Sequence, residues 1–423
     1  MRVELEISNA GQWEKAGSVS LLGEESSGTT GSCLLEYDNK YAFKYLSELG
    51  SHALSLRYPV NFAVEREGHW PAFLLDLMPS GAARRILEKK LKIKNSKIFD
   101  WKLLNAGGSN PIGNIRVKPT QHTLSQNNKH EGFDLAQVLD KQEGFIEYAL
   151  SCGAPVSGTT GVAGDAPKFT LSKSFNGKWH PGGSISSSLV ESEWIIKFLR
   201  GRTKADHVIL ESEAELYRLA EDLGLRGGYR PTYQDNALLI PRFDCIKIKG
   251  NTHRLGVESL YSAMGVYEFG VSASQENALR TIHAHSSSPM QDLSEFIQRD
   301  IFNYLISNTD NHGRNTSFIK YEDGRIELSP IYDCAPMKLD PQMITRSITW
   351  DDIKRNSKIS TLPDYGELWR WLRASGIESD KIEQDILNFK TSLQSINFKN
   401  YHYPTQMARI LEENRPLLIR AIS

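Results

Sequence analysis

The run Asp310-Asn311-His312-Gly313-Arg314-Asn315 sets a carboxylate and a carboxamide five residues apart. Asp310 can take a proton from a hydroxyl, and the amide oxygen of Asn315 is the hard donor that Mg2+ requires. Further along, Ile331-Tyr332-Asp333 ends a strand-like run on a second carboxylate, placed to face a cleft and supply another metal ligand. Lys197 lies mid-strand in Trp194-Ile195-Ile196-Lys197-Phe198, where burial is costly without an anion. Glu213 shares a helical stripe with Leu216, Tyr217, Ala220 and Leu223, so its carboxylate needs a cationic partner, and Lys197 is the natural candidate. Between Ser157 and Lys168, glycines 158, 161 and 164 let backbone amides approach phosphates, with Lys168 adding charge. This is not a Walker A loop, because the sole Gly-Lys pair, Gly177-Lys178, is followed by Trp179. Taken singly, each feature has a plain alternative: a turn, a cap or a lysine on a wet face.

The elements that must position these groups follow from the apolar pattern. Residues 1–65 alternate in short runs broken by Gly, Ser and Asn, as strands do, and the pattern turns helical after Trp70–Pro79. Residues 118–133 are polar and weakly patterned and read as a linker. A second β-rich stretch runs from Phe145 to Asp244, with one clear helix over 208–223. From Val257 onward helical periodicity dominates, interrupted only by a hairpin-like piece over 316–333. Ile297, Ile301, Leu305 and Ile306 put a helix directly before the Asp310 run. Three units are expected: a β-rich module over 1–135, a nucleotide lobe over 136–245 and a helical lobe over 246–423.

The order is the informative part. Glycine loop, strand lysine, helix glutamate, Leu239-Ile-Pro-Arg-Phe-Asp244, Asp-x4-Asn and Tyr-Asp follow one another as they do in protein kinases, and a phosphotransferase is the reading they support. The chain resembles the HipA family of serine/threonine kinases, the toxin half of bacterial toxin–antitoxin pairs. The resemblance rests on Phe73-Leu-Leu-Asp-Leu-Met-Pro79, Gly108-Ser-Asn-Pro-Ile-Gly113, Val162-Ala-Gly-Asp-Ala-Pro-Lys168, Leu219-Ala-Glu-Asp-Leu-Gly224, Arg242-Phe-Asp244 and Asn308-Thr-Asp-Asn-His-Gly-Arg-Asn315.

The resemblance implies an α+β, bilobal, protein-kinase-like fold, with a β-rich N-terminal module and nucleotide lobe followed by an all-helical C-lobe. It implies Asp310 as catalytic base, Asn315 and Asp333 as Mg2+ ligands, and Lys197 as phosphate contact paired with Glu213. Ala163, Gly164 and Lys168 would surround the ATP phosphates, the Pro241, Arg242 and Phe243 backbone would meet adenine, and Asp244, His312 and Tyr332 would lie near the nucleotide. The implied reaction is ATP-dependent phosphorylation of a translation component, such as an aminoacyl-tRNA synthetase. The implied partner is a HipB-like helix-turn-helix antitoxin, through which alone the chain would meet DNA. Two positions depart from the family: Gly161 stands where members often carry a regulatory serine, and Ala166 where they carry glutamine. Ser157, Thr159 and Thr160 remain as candidate autophosphorylation sites. A nucleotide-binding partner or co-repressor without turnover is the other reading of the same motifs.

Composition bounds the rest. The chain of 423 residues has 50 basic and 51 acidic side chains, a balance that disfavours a whole-molecule grip on nucleic acid or anionic membrane. Cys33, Cys152, Cys245 and Cys334 are too dispersed for a metal knuckle and too sparse for a disulfide scaffold, which fits a reducing compartment. With neither a membrane-spanning run nor an apolar leader, the sequence reads as soluble and cytoplasmic. His283 and His285 are read as a solvated helix end, Trp350, Trp369 and Trp371 as core or surface fillers, and Arg200, Arg202 and Lys204 as a solvated basic loop.

Overall fold

Strict two-residue alternation builds the first sheet. In β1 (Arg2–Asn9) Val3, Leu5 and Ile7 point inward, and β2 (Gln12–Leu21) pairs with it antiparallel across a bulge at Leu5/Glu6. With β3 (Cys33–Tyr37), β4 (Val64–Glu67) and β5 (Ile115–Val117) they form a five-stranded sheet ordered β4-β3-β2-β1-β5. Its inner face is covered by Trp70, Phe73, Leu74, Trp101 and Leu104. The computed structural model describes residues 1–79, 81–93, 99–119, 131–141, 143–151 and 167–422. Ser157, Thr159, Thr160, Gly161, Ala163, Gly164 and Ala166, expected on the glycine loop, lie outside the described residues.

The second sheet is antiparallel, ordered β7-β6-β8-β10-β9, from β6 (Lys168–Ser174), β7 (Trp179–Pro181), β8 (Val190–Phe198), β9 (Thr232–Gln234) and β10 (Ala237–Pro241). Phe169, Leu171, Ile196, Phe198 and Leu239 fill one face against Phe133, Val138 and Phe145. A helix over Lys204–Asp222 follows, started by a capping box between Thr203 and Asp206. Its Leu216, Tyr217, Leu219 and Ala220 join the core of the helical lobe rather than that of the sheet. The helix thus packs on β9 and β10 while its apolar stripe reaches the core of the helical lobe.

The helical lobe packs Gln275–His285, Pro289–Leu305, Tyr365–Ala374, Asp380–Ser395 and Thr405–Ala421 around Trp350, Phe302 and Leu368. Besides helices it carries strands. A hairpin of β11 (Cys245–Ile248) and β12 (Asn251–Arg254) leads into β13 (Gly256–Ser259). A two-residue parallel ladder joins β14 (Ala273–Ser274) to β17 (Ile348–Thr349). The expected hairpin forms as β15 (Ser317–Lys320) and β16 (Ile326–Leu328), and β13 adds to its edge. β13 is legible only in hindsight, being four residues, Gly-Val-Glu-Ser, with a single large apolar side chain.

Buried ions weld the N-terminal module to this lobe. Glu258, on β13, accepts from Ser55 Oγ, the Leu56 N–H at 2.8 Å and Ser262 Oγ, and pairs with Lys320 Nζ at 3.1 Å. Lys320, with no exposed side-chain surface, also donates to the Ala53 carbonyl at 3.2 Å. The basic run beside the nucleotide sheet is not simply solvated. Arg200 pairs with Asp206 at 3.1 Å and with Asp340, bridging that sheet to the helical lobe. Among the described residues no helix is long and apolar enough to cross a membrane, and Cys33, Cys245 and Cys334 are free thiols.

Candidate active site

Lys197 enters the cleft because β8 is central in its sheet and the residue is nearly fully buried. Directly opposite on β6 stands Lys168, so two ammonium groups face one another across the ladder. Like charges in register repel unless an anion lies between them. That anion is Asp333, whose carboxylate meets Lys197 Nζ at 3.0 Å and Lys168 Nζ at 3.2 Å. Glu213, wholly buried on the Lys204–Asp222 helix, takes the other side of Lys197 at 2.6 Å.

Charge settles accordingly. Burial alone would push the Asp333 carboxyl up, but Lys168 and Lys197 overcome it and hold the group well below the usual carboxylate range. Burial likewise acts to lower Lys197, and Asp333 with Glu213 reverses it and keeps the ammonium charged. Glu213, sharing that one cation, is pushed up by its burial.

Asp333 itself sits in the left-handed region at φ 57°, a costly conformation for a residue other than glycine. Its N–H donates to Tyr217 Oη at 2.7 Å, and Tyr332 beside it donates its hydroxyl to the Arg314 carbonyl at 2.8 Å. Tyr332 and Phe243 stack with centroids 6.0 Å apart. They line an apolar cleft together with Ile195, Pro241 and Val257.

The Asp310 loop follows the Pro289–Leu305 helix, as the spacing predicts. The Asp310 N–H donates to Asn308 Oδ1 at 3.1 Å, and Asn315 Nδ2 donates to the Asp310 carbonyl at 2.8 Å. Burial, with Asp333 nearby, pushes the Asp310 carboxyl up to about 7. Asn315 Oδ1 is buried and, among the described residues, accepts no hydrogen bond. An acceptor left dry in this way is a ready cation ligand. Gly313 is required by space, since a Cβ there would lie 1.9 Å from the Tyr261 ring.

Two expectations change in detail. Arg242 and Asp244 line the apolar cleft, but their charged groups bind each other, the Pro111 carbonyl at 3.1 Å and the Gly113 N–H at 2.7 Å. They brace the N-terminal module against the cleft, leaving backbone and the Phe243 ring for a ligand. His312, expected near the nucleotide, lines an adjoining cleft together with Asp310. Its Nδ1 accepts the Arg314 N–H at 3.2 Å, and burial pushes its pKa down to about 4, so it is neutral.

Sequence reasoning missed Asp76, on the N-terminal module. Its Oδ1 takes Arg314 Nη1 at 2.6 Å and Ser259 Oγ at 2.7 Å, and its Oδ2 takes the Ser259 N–H at 2.9 Å. The signal was an aspartate inside the apolar run Phe73–Pro79, which demands a buried cation. Among the described residues, no group of three or more His, Cys, Asp or Glu side chains forms a self-sufficient metal site.

Several known proteins are similar to this chain. HipA of Shewanella oneidensis, named a serine/threonine-protein kinase toxin, is 26% identical over 289 residues, 62% of this chain and 61% of the relative. Y4mE of Sinorhizobium fredii, named as a kinase, is 29% identical over 149 residues, 32% of this chain and 35% of the relative. The chain thus matches between about a third and three-fifths of the length of these relatives. One chain of the solved complex of Shewanella oneidensis MR-1 HipA, HipB and operator DNA superposes with a TM-score of 0.64 at 18% identity, covering 99% of this chain and 96% of that one. The shared fold is therefore kinase-like and mixed α+β. Residues 26–118 match the HipA N-terminal domain and residues 160–395 the HipA-like C-terminal domain, more than half of the sequence, and the chain belongs to the HipA family.

Proposed function

We propose that this protein is an ATP- and Mg2+-dependent serine/threonine kinase. The observation that carries the reading is the convergence of Lys197, Glu213 and Asp333 on one cleft, with Asp310 and Asn315 on the loop beside it. Adenine would occupy the apolar floor between Phe243 and Val257, against the Pro241–Phe243 backbone. Lys168 and Lys197 would hold the phosphates. Asp333 and the unpaired Oδ1 of Asn315 would hold the metal, a donor set of hard oxygens that the nucleotide phosphates complete. When bound, Mg2+ neutralises charge on the transferring phosphoryl group. Asp310 aligns the acceptor hydroxyl and takes its proton as the new O–P bond forms; the β–γ P–O bond breaks and ADP leaves.

The partner and the substrate are part of the same proposal. A HipB-like helix-turn-helix antitoxin fits the family and the composition of the superposed complex, with DNA met through it alone. A translation component, such as an aminoacyl-tRNA synthetase, is the substrate class that the family reading implies. Intact-mass and phosphosite mapping after incubation with Mg·ATP, alone and with a cell lysate, tests the kinase. Wild type should transfer phosphate and Asp310→Asn should not. Nucleotide binding without Mg2+-dependent turnover in wild type would make the chain a nucleotide-binding partner instead.

A further inference from the structure

Asp310, His312 and Arg314 form the floor of the adjoining cleft, whose walls are Tyr261, the 268–272 loop and the 342–347 loop. The walls are tied together at their base by the β14–β17 ladder, where the Ala273 N–H donates to the Ser347 carbonyl at 2.9 Å. Both cations lining it are already engaged, Arg314 with Asp76 and Arg346 with Asp300. Glu268 on the wall is different: among the described residues no side chain pairs with it. Beside it the lips are apolar. Met343 is 81% exposed and Val271 36%. Met343 also stands in the left-handed region at φ 50°, which costs a bulky residue energy that solvent exposure does not return.

We infer that this cleft is the acceptor site, and that it selects a serine or threonine in an extended protein segment carrying a basic side chain for Glu268 and an apolar one for the Val271–Met343 lips. The inference rests on the kinase reading, since Asp310 at the floor is what makes the cleft an acceptor site. Charge complementarity names the occupant. Among the described residues, the unengaged side-chain charge around the opening is carboxylate, so a segment with an acidic neighbour is repelled and one with lysine or arginine is held.

The test is a positional-scanning peptide library with a fixed central serine or threonine, phosphorylated by the full chain with Mg·ATP. Wild type should favour lysine or arginine over glutamate at one flanking position by about five- to tenfold, the range of a part-shielded ion pair. It should favour leucine, methionine or valine at another position. Glu268→Lys should invert the charge preference, and Met343→Asp should erase the apolar one. Peptide phosphorylation with a flat charge profile in wild type, or a basic preference that survives Glu268→Lys, overturns the inference and leaves the kinase reading standing. Absence of Mg2+-dependent ATP turnover overturns both.

Discussion

Arg314 and Asp76, 238 residues apart in sequence, meet at 2.6 Å with the guanidinium almost wholly buried. Arg314 belongs to the loop that carries Asp310 and Asn315, and Asp76 belongs to the N-terminal module. The module therefore supplies the counter-charge for the Asp310 loop. Asp76→Ala should destabilise the protein by about 3–5 kcal/mol, because it leaves a buried cation uncompensated. Asp76→Asn keeps a hydrogen-bond acceptor for Arg314 and should lower kcat at least tenfold while ATP affinity changes little. Chemical denaturation and separate kcat and KM measurements check this. An unchanged kcat in Asp76→Asn would remove the module from catalysis.

The Asp310 carboxyl, raised to about 7, has consequences of opposite sign for activity and stability. In the proposed mechanism the proton acceptor is the ionised form, so kcat/KM should fall about tenfold per pH unit below that value. The folded state binds this proton more tightly than the unfolded chain. Its contribution to stability is therefore present at the ordinary carboxyl pKa and is lost as pH rises through about 7. Asp310→Asn should raise the melting temperature at pH 8 and leave it nearly unchanged at pH 4. A rise equal at both pH values would contradict the origin of the effect.

Lys197 and Glu213 separate packing from chemistry. Lys197→Met leaves Glu213 buried without a cation and should lose about 3–5 kcal/mol of stability along with turnover. Glu213→Gln retains an oxygen near Lys197 and removes its negative charge, so it should cost far less stability but still lower turnover by one or two orders of magnitude. Melting curves and initial rates read the two effects apart.

Gly313 offers a steric test that touches no charged group. Gly313→Ala must displace the Tyr261 ring, whose hydroxyl is held by the Ser347 carbonyl at 3.1 Å. Overpacking of this kind costs about 1–3 kcal/mol. It should also disturb the acceptor cleft that Tyr261 lines, raising KM for peptide more than KM for ATP.

The residues legible in the sequence were those whose local surroundings contradicted them. Lys197 stood among strand apolars, Glu213 on an apolar stripe, and Asp310 and Asn315 after a strongly periodic helix. Lys197 and Glu213 each demanded a partner, and the fold supplies it. What stayed hidden depended on distant pairing. The dual grip of Lys168 and Lys197 on Asp333 needs the β6–β8 register, which no single segment encodes. Asp76 answers to an arginine in another unit, and Arg242 with Asp244 turns toward Pro111 and Gly113. His312, two residues from Asp310, lines with it the adjoining cleft rather than the one that holds Lys197 and Asp333.

On the proposed reading, the opposed lysines of β6 and β8 couple the two ligands of the cleft. Nucleotide phosphates must take the ammonium groups away from Asp333, and that carboxylate is then left exposed to them as an unneutralised anion. A divalent cation arriving alone meets the reverse obstacle, a carboxylate already occupied by two cations. Each ligand thus clears the place of the other, so the affinities for nucleotide and metal rise together by the same factor. Loading of the site would then be a cooperative, two-component event before any phosphoryl group moves.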